Sequence, residues 1–426
     1  MQVVDEFQRY NVMKSSLLPW MVCFAATLFF FYEFIQGNMF ASIAANIMQD
    51  YEIQADKMAW LSSIYYLSNV LFLFVAGIVL DRFSIKNTLL IAMFLCVAST
   101  FLLAYSHSFY MALFCRFVTG IGSAFCFLGP VRLASHWFPP KRMALVTGAI
   151  VTMAMAGGML AQYPLTQLVL LVGWRQAVQD VGLLGLTMLI VMFFWIKERP
   201  HAAAKEVPAP INILSAAKKA YLNTQYLRAA LYASLMNMAI AVFGAMMGTL
   251  YLVQRLEINA SEASLINSML FLGSIIGSPL VGWISDKMGL RVLPMKMGVL
   301  ASLLVLIAIL YLPVSYSLMA FLFFLLGFFT SAQVISYALV AESSSPAMTA
   351  TAVSVISILI QGGYIVYQNM FSYLLTSHGE MHMSNGTPVY LLSAYQYAAV
   401  ILPIGLIIAF LMLLGLKETR CQNIEG

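Results

Sequence analysis

The sequence predicts an all-α membrane protein with twelve transmembrane helices in two six-helix bundles. Three observations lead there. Hydrophobic residues make up 62% and charged residues 9% of the 426 positions, with a mean hydropathy of +0.88; a soluble domain carries about 25% charged residues. The apolar residues fall into segments long enough to cross a bilayer, which takes about 20 residues. One short pattern also occurs twice, 205 residues apart. Gly77, Asp81, Arg82 and Lys86 form it in the first half, and Gly282, Asp286, Lys287 and Arg291 in the second. A repeat at close to half the chain length marks a duplicated unit. Repeated membrane halves place a binding site on the axis between them.

The first six segments cover about 17–44, 58–80, 88–105, 110–134, 143–170 and 177–196. The second six cover about 228–253, 263–283, 297–313, 317–340, 348–375 and 391–415. The chain therefore divides into a six-helix unit over 1–196, a linker over 197–227, and a second six-helix unit over 228–426 ending in a short tail. The linker is polar, carries Pro and Lys, and includes an amphipathic piece, 211–226, suited to a membrane surface. The polar start leads into an apolar segment too long for a signal core and without a small-residue cleavage site, so the first helix is expected to stay in the membrane.

Orientation follows from the basic residues. With both termini placed inside, 18 of the 22 Lys and Arg fall on the inner side. Lys57, Arg175 and Arg255 fall outside, and Arg116 falls within a helix. This bias predicts a multi-pass protein of the cell (inner) membrane with cytoplasmic termini. A net charge of +5, scattered along the chain, excludes nucleic acid as a partner. The partners expected are a small-molecule substrate, protons and membrane lipid, with the chain a monomer.

Glu33 is the most informative residue. It lies in the middle of the first segment, where no other charged side chain stands near it. A charge at that depth costs about 3 kcal/mol on insertion scales. Desolvation favours the neutral form of a carboxyl group, so Glu33 is the candidate proton carrier; the alternative is a fixed structural carboxylate. Polar and aromatic side chains at helical spacing are the candidate pocket wall: Tyr32, Gln36, Tyr65, Asn69, Gln162, Asn237, Asn267, Gln333, Tyr337, Gln361 and Tyr364. Amides in lipid cores also hydrogen-bond across helices without touching a ligand. Gln361, Gly362 and Gly363 mark an expected bend. Asp180 is expected to pair with Arg175.

The repeated pattern reads as a gate. Asp81 and Asp286 stand at inner helix ends beside Arg82, Lys86, Lys287 and Arg291. A carboxylate there can clamp neighbouring helices; the alternative is solvated surface charge of about 0–1 kcal/mol. Arg132 is the candidate partner of Asp81, and Glu342 of the loop around Lys287 and Arg291.

Enzymatic chemistry has no support. The five cysteines show no CxxC or metal-ligand spacing. His378, Glu380 and His382 share a loop with Gly379 and make a poor metal site. No glycine-rich phosphate loop is present. No cofactor or metal is expected.

These residues make the chain resemble the major facilitator superfamily over its whole length. In the second copy, Gly282, Asp286, Lys287, Gly289 and Arg291 match the family's helix 2–3 pattern. In the first, Gly77, Asp81, Arg82 and Lys86 match, while Ser84 replaces a glycine and Ile85 a basic residue. Arg116, Gly120 and Gly122 resemble the family's helix 4 pattern, and Gly173-Trp174-Arg175 a motif between helices 5 and 6. The resemblance implies alternating access between two rocking bundles, with Glu33 and Arg116 on cavity-lining helices and serving proton coupling. Drug antiporters of the family carry a Gly-Pro pair in helix 5; here Pro164 stands apart from Gly157 and Gly158. Proton symport of a small polar or amphipathic metabolite is therefore the leading expectation. Proton-coupled export is the alternative, and a non-transporting membrane receptor or sensor is the alternative of another class.

Overall fold

The computed structural model describes residues 2–138, 142–197, 221–344, 349–378, 381–384 and 387–422. Among them, twelve helices are long and apolar enough to cross a membrane. They are α1 (Leu17–Asn38), α2 (Ala55–Leu80), α3 (Ile85–Ala104), α4 (Phe109–Trp137), α5 (Leu145–Val172) and α6 (Trp174–Trp195). The second half contributes α7 (Thr224–Leu256), α8 (Ala260–Met288), α9 (Val292–Tyr311), α10 (Tyr316–Glu342), α11 (Thr351–Ser377) and α12 (Leu392–Leu414). Twelve crossings leave the start of α1 and the end of α12 on one face, called here the terminal side. A short antiparallel hairpin, β1 (Met381–Ser384) and β2 (Thr387–Tyr390), lies on the far side before α12.

Several helices are interrupted within the membrane, and the sequence explains most of the breaks. The α1 span continues past a turn at Met39 as a second helix, Phe40–Asp50, so it is longer than the predicted 17–44. In α4 the helix is replaced by turns at 124–127, where Pro130 cannot donate to Cys126. In α5 it breaks at Ala161–Gln162, where Pro164 opens the second piece. In α10 a 3₁₀ turn occupies Ser331–Val334, beside Thr330 and Ser331 hydroxyls that bond back to the Leu326 and Gly327 carbonyls. The α4 and α10 breaks recur at nearly the offset of the repeated pattern. In α7, residues Ile240–Met247 form a π-helix, a form that appears mostly as short bulges at functional positions. Around Gln361–Gly363, where a bend is expected, the helix runs without a break from Thr349 to His378.

The duplication also shows in how helices cross. A Cβ on Gly120 would lie 2.2 Å from the Tyr65 carbonyl oxygen, and one on Gly327 would lie 1.9 Å from that of Leu270. So α4 meets α2 and α10 meets α8 backbone to backbone, at matching places in the two halves. In lipid, such contact between small residues is what holds helices together.

The two bundles are joined by hydrogen bonds on the far side. Asn369 of α11 donates to Ser63 of α2 at 2.8 Å. Gln167 of α5 reaches Ser261 of α8. The Ala55 amide donates to the Tyr390 hydroxyl at 3.3 Å, tying the hairpin to the start of α2. Rings of Tyr66 and Tyr364 meet at 4.6 Å. By contrast, a Cβ added at Gly77, Gly148, Gly282 or Gly362 would meet nothing within 4 Å.

Candidate functional site

Glu33 lies midway between Leu17 and Asp50 and is 1% exposed. Its Oε2 accepts from the Tyr65 hydroxyl at 2.9 Å. The guanidinium of Arg116, 0% exposed, stacks 4.6 Å from the Tyr65 ring and 4.6 Å from that of Phe40. Its Nη1 donates to the Gln36 carbonyl at 3.0 Å. Tyr65 thus bonds the acid at its hydroxyl and carries the cation on its face. No ion pair joins Glu33 to Arg116 among the described residues.

The polar atoms here are incompletely satisfied. Glu33 Oε1, both amide atoms of Gln36, and Nε and Nη2 of Arg116 are buried without a hydrogen-bond partner. Each such atom costs about 1–3 kcal/mol, and native structures keep few of them. Asn69 gives its amide to Ser123 at 2.7 Å and keeps Oδ1 unpartnered. Tyr66 donates to the Gly37 carbonyl at 2.9 Å while its ring faces α11. The arrangement combines a proton acceptor, a fixed cation and spare amide groups in a site closed to water.

A second cluster lies at the terminal side of the second bundle. Arg291 contacts Asp286 at 2.6 Å and Glu342 at 2.6 Å. Glu418 of the tail accepts the backbone N–H groups of Arg291 and Val292 at 2.7 and 2.8 Å, which places a carboxylate on the first turn of α9. Thr419 donates to the other oxygen of Glu342. Burial works against the Arg291 charge, but Glu342 and Asp286 outweigh it and hold the proton more firmly than usual.

Two stretches of the sequence, 22–254 and 230–421, match the family model described as Major Facilitator Superfamily. The chain belongs to the major facilitator superfamily. Among curated relatives, a "Hexuronate transporter" of Bacillus subtilis (strain 168) is 27% identical over 174 residues, covering 39% of this chain and 40% of the relative. A "Lysosomal dipeptide transporter MFSD1" of Danio rerio is 24% identical over 62% of this chain and 61% of its own. A "Membrane sensor protein UhpC" of Salmonella typhimurium is 26% identical over 68% and 70%. The chain thus matches less than half of the first of these relatives. A bacterial homologue of the human lysosomal transporter Spinster, inward-facing and unoccupied, superposes with a TM-score of 0.76 at 18% identity, covering 93% of this chain and 96% of that one. The nucleoside transporter NupG superposes at 0.69 with 14% identity, over 94% and 100%. These likenesses establish the fold.

Within this major facilitator fold, the predicted pocket residues divide. Glu33, Gln36, Tyr65, Asn69 and Arg116 come together. Tyr32 does not join them: its hydroxyl is shared with Thr100 at 2.9 Å, and its ring packs where a Cβ on Gly185 would fall, so it faces α3 and α6. Gln162 and Asn267 bond each other at 2.7 Å rather than standing open, and both hold α7: Gln162 donates to the Gly244 carbonyl at 2.9 Å, and Asn267 to that of Phe243 at 3.0 Å. Gln368, a further polar residue of α11 that sequence spacing places with the pocket wall, donates to the Ala241 carbonyl at 3.0 Å. Three amides from three helices thus collect carbonyls of the π-helix. Asn237 turns back on its own helix, to Ala233 at 2.9 Å. Gln333, Tyr337 and Gln361 are half-buried, with Gln333 Oε1 unpartnered.

The predicted gate is described in full only in its second copy. Glu342 and Arg291 meet, while Lys287 instead lies 5.0 Å from the Trp283 ring. The Asp81 side chain and Lys141 lie outside the described residues, as do Glu380 and the side chains of His378 and His382, and most of the linker. Arg82 and Arg132 are exposed, and Lys86 lies 5.2 Å from the Phe193 ring. Arg175 pairs with Asp50 at 3.0 Å, whereas Asp180 accepts from Gln176 at 3.1 Å, so the expected Asp180–Arg175 pair is not formed. Asp50 also holds the Trp174 indole at 2.9 Å, which places the carboxylate between both partners. Asp50 and Asn369 escape sequence reading because either could face lipid or protein until the packing is known.

Removing Glu342 should unbalance the terminal-side cluster. Glu342→Ala leaves Arg291 with only the exposed Asp286, and losing a hydrogen-bonded charged partner costs about 1.5–3 kcal/mol. The expected result is a clear drop in melting temperature in detergent, with Lys287→Gln unchanged as the control. An unaltered melting temperature for Glu342→Ala would show the pair to be ornamental.

Proposed function

We propose that the chain is a secondary active transporter that moves a small polar or amphipathic metabolite by alternating access and proton symport. The observation that carries this reading is the buried Glu33 carboxyl group, held by Tyr65 at one oxygen and unpartnered at the other, beside a buried Arg116. In the proposed cycle a proton binds at Glu33 Oε1. The neutral acid then no longer draws on the Arg116 charge through Tyr65, and α1, α2 and α4 are free to shift against one another. The far-side hydrogen bonds between the bundles describe a state closed on that side, so substrate access is proposed from the terminal side, taken as cytoplasmic. Arg291, Asp286 and Glu342, with Gly77, Asp81, Arg82, Lys86, Arg132, Gly282 and Lys287, are proposed to set the balance between states at that side. The same reading makes the chain a monomer in the inner membrane, with bundles over 1–196 and 228–426.

The side chains gathered around Glu33 offer amides, aromatic rings and one balanced acid and base, which suits a neutral or zwitterionic solute. Relatives named for a hexuronate and for dipeptides span too wide a chemistry to choose further. The test is a thermal-shift screen of metabolites, followed by uptake into proteoliposomes with an imposed pH gradient. Uptake that follows inward proton flow supports symport. Uptake that runs against it assigns proton-coupled export. Ligand binding with no flux under either gradient assigns a sensor, a reading favoured by the relative named as one.

The amides around α7 yield a separate prediction. Gln162→Ala removes the cross-bundle bond to Asn267 and leaves the Gly244 carbonyl without that donor. The far side should then open more often, read as about a thirtyfold rise in labelling of a cysteine placed at Ser261 in a cysteine-free background, since two bonds are lost at about 1 kcal/mol each. Unchanged labelling would remove Gln162 from the gate.

A further inference from the structure

We propose that the groove between α3 and α6 seats an acyl chain of an anionic phospholipid, whose headgroup is held by Lys86 and Lys197. The groove encloses about 430 Å³ and is lined by Leu90, Ile91 and Phe94 of α3 and by Ile190, Phe193 and Phe194 of α6. Packed helices normally fill such space by setting the ridges of one into the grooves of the other. Here they leave a concavity as large as many ligand sites, which span about 300–1,000 Å³. It opens outward, away from the axis between the bundles: Ile91, Phe94, Ile190, Phe193 and Phe194 are each more than half exposed. Its walls are wholly apolar, which selects a hydrocarbon chain.

Charge at the mouth selects the headgroup. The lining residues of α3 fall in its first turns and those of α6 in its last turns, so the groove lies in the terminal-side leaflet. Lys86 stands one turn before Leu90, and its ammonium lies 5.2 Å from the Phe193 ring on the opposite wall. Lys197 follows the end of α6 and is exposed, with its carbonyl fixed by the Trp137 indole at 3.2 Å. Two cations therefore stand at the terminal-side ends of the two helices that wall the groove. Basic pockets between transmembrane helices bind anionic headgroups in this way. A zwitterionic headgroup would bring its own cation to the same place and gain less. Lys86 also closes the first copy of the repeated pattern, so a bound lipid sits against the α2–α3 turn.

Native mass spectrometry of the full chain in detergent tests the site, using phosphatidylglycerol and phosphatidylcholine with identical acyl chains. The phosphatidylglycerol should bind tighter, by about fivefold for each lysine. Lys86→Gln with Lys197→Gln should bring the two lipids level, and Leu90→Trp, which fills the groove, should weaken both. Phe94→Trp serves as the second filling variant if Leu90→Trp elutes as aggregate. Equal binding of the two lipids by the unaltered chain overturns the proposal. So does a headgroup preference that survives the double substitution, or binding unchanged by either filling variant.

Discussion

Glu33→Gln is expected to abolish uphill accumulation while leaving substrate binding in place. The amide keeps the size of the side chain and can still meet the Tyr65 hydroxyl, so the 2.9 Å contact has a neutral counterpart. It cannot exchange a proton. For one proton per substrate, each unit of pH difference supports about tenfold accumulation at equilibrium. The variant should lose that factor entirely and level at the outside concentration. Substrate-for-substrate exchange should continue, because it needs alternation but no net proton flow. Accumulation that survives in Glu33→Gln would place the proton elsewhere. Arg116→Ala should act differently: it empties the space between Phe40 and Tyr65 and removes the donor to Gln36, so it should impair folding as well as coupling.

Gly120→Ala is expected to be strongly destabilising for a change of a single methyl group. The new Cβ would sit 1.9 Å from Ser68 Oγ and 2.2 Å from the Tyr65 carbonyl oxygen. Ser68 can rotate away, but the carbonyl belongs to the α2 backbone and can yield only if the helix moves. Overpacking of this kind costs about 1–3 kcal/mol and more against backbone. It also displaces Tyr65, on which both Glu33 and Arg116 depend. Gly148→Ala is the matched control, since its Cβ meets nothing within 4 Å. That change should be neutral or stabilising by about 0.5–1 kcal/mol, because alanine favours the helix. Melting curves in detergent would compare the two; similar curves would mean that the α2–α4 crossing tolerates separation. Gly327→Ala should repeat the Gly120 result in the second bundle.

Some of this was readable directly. A carboxyl group in a wholly apolar run stands out because its insertion cost needs a reason, and Glu33 is buried where that cost implied. That Glu342 engages the basic loop around Lys287 and Arg291 was also readable, because these charges stand at inner helix ends on one side; that it takes Arg291 and not Lys287 needed the packing. The faces of the amide residues were not. Gln162, Asn267 and Tyr32 looked equivalent in sequence, yet one pair holds the π-helix of α7 and the third turns toward α3 and α6. Helical spacing limits which residues share a face, but not which neighbour that face meets. The π-helix has no signature in the sequence, since its cost is offset by amide donors from α5, α8 and α11.

Composition, segment length and the repeated pattern determined that this chain crosses a membrane twelve times as two related halves. Those features depend on transfer of side chains from water to lipid, which each segment experiences by itself. The tertiary structure decided that Tyr65 stands between Glu33 and Arg116, that Asp50 rather than Asp180 takes Arg175, and that the bundles close on the far side. Such contacts depend on where helices break and how closely they cross, and those distances are set only when all the helices pack together.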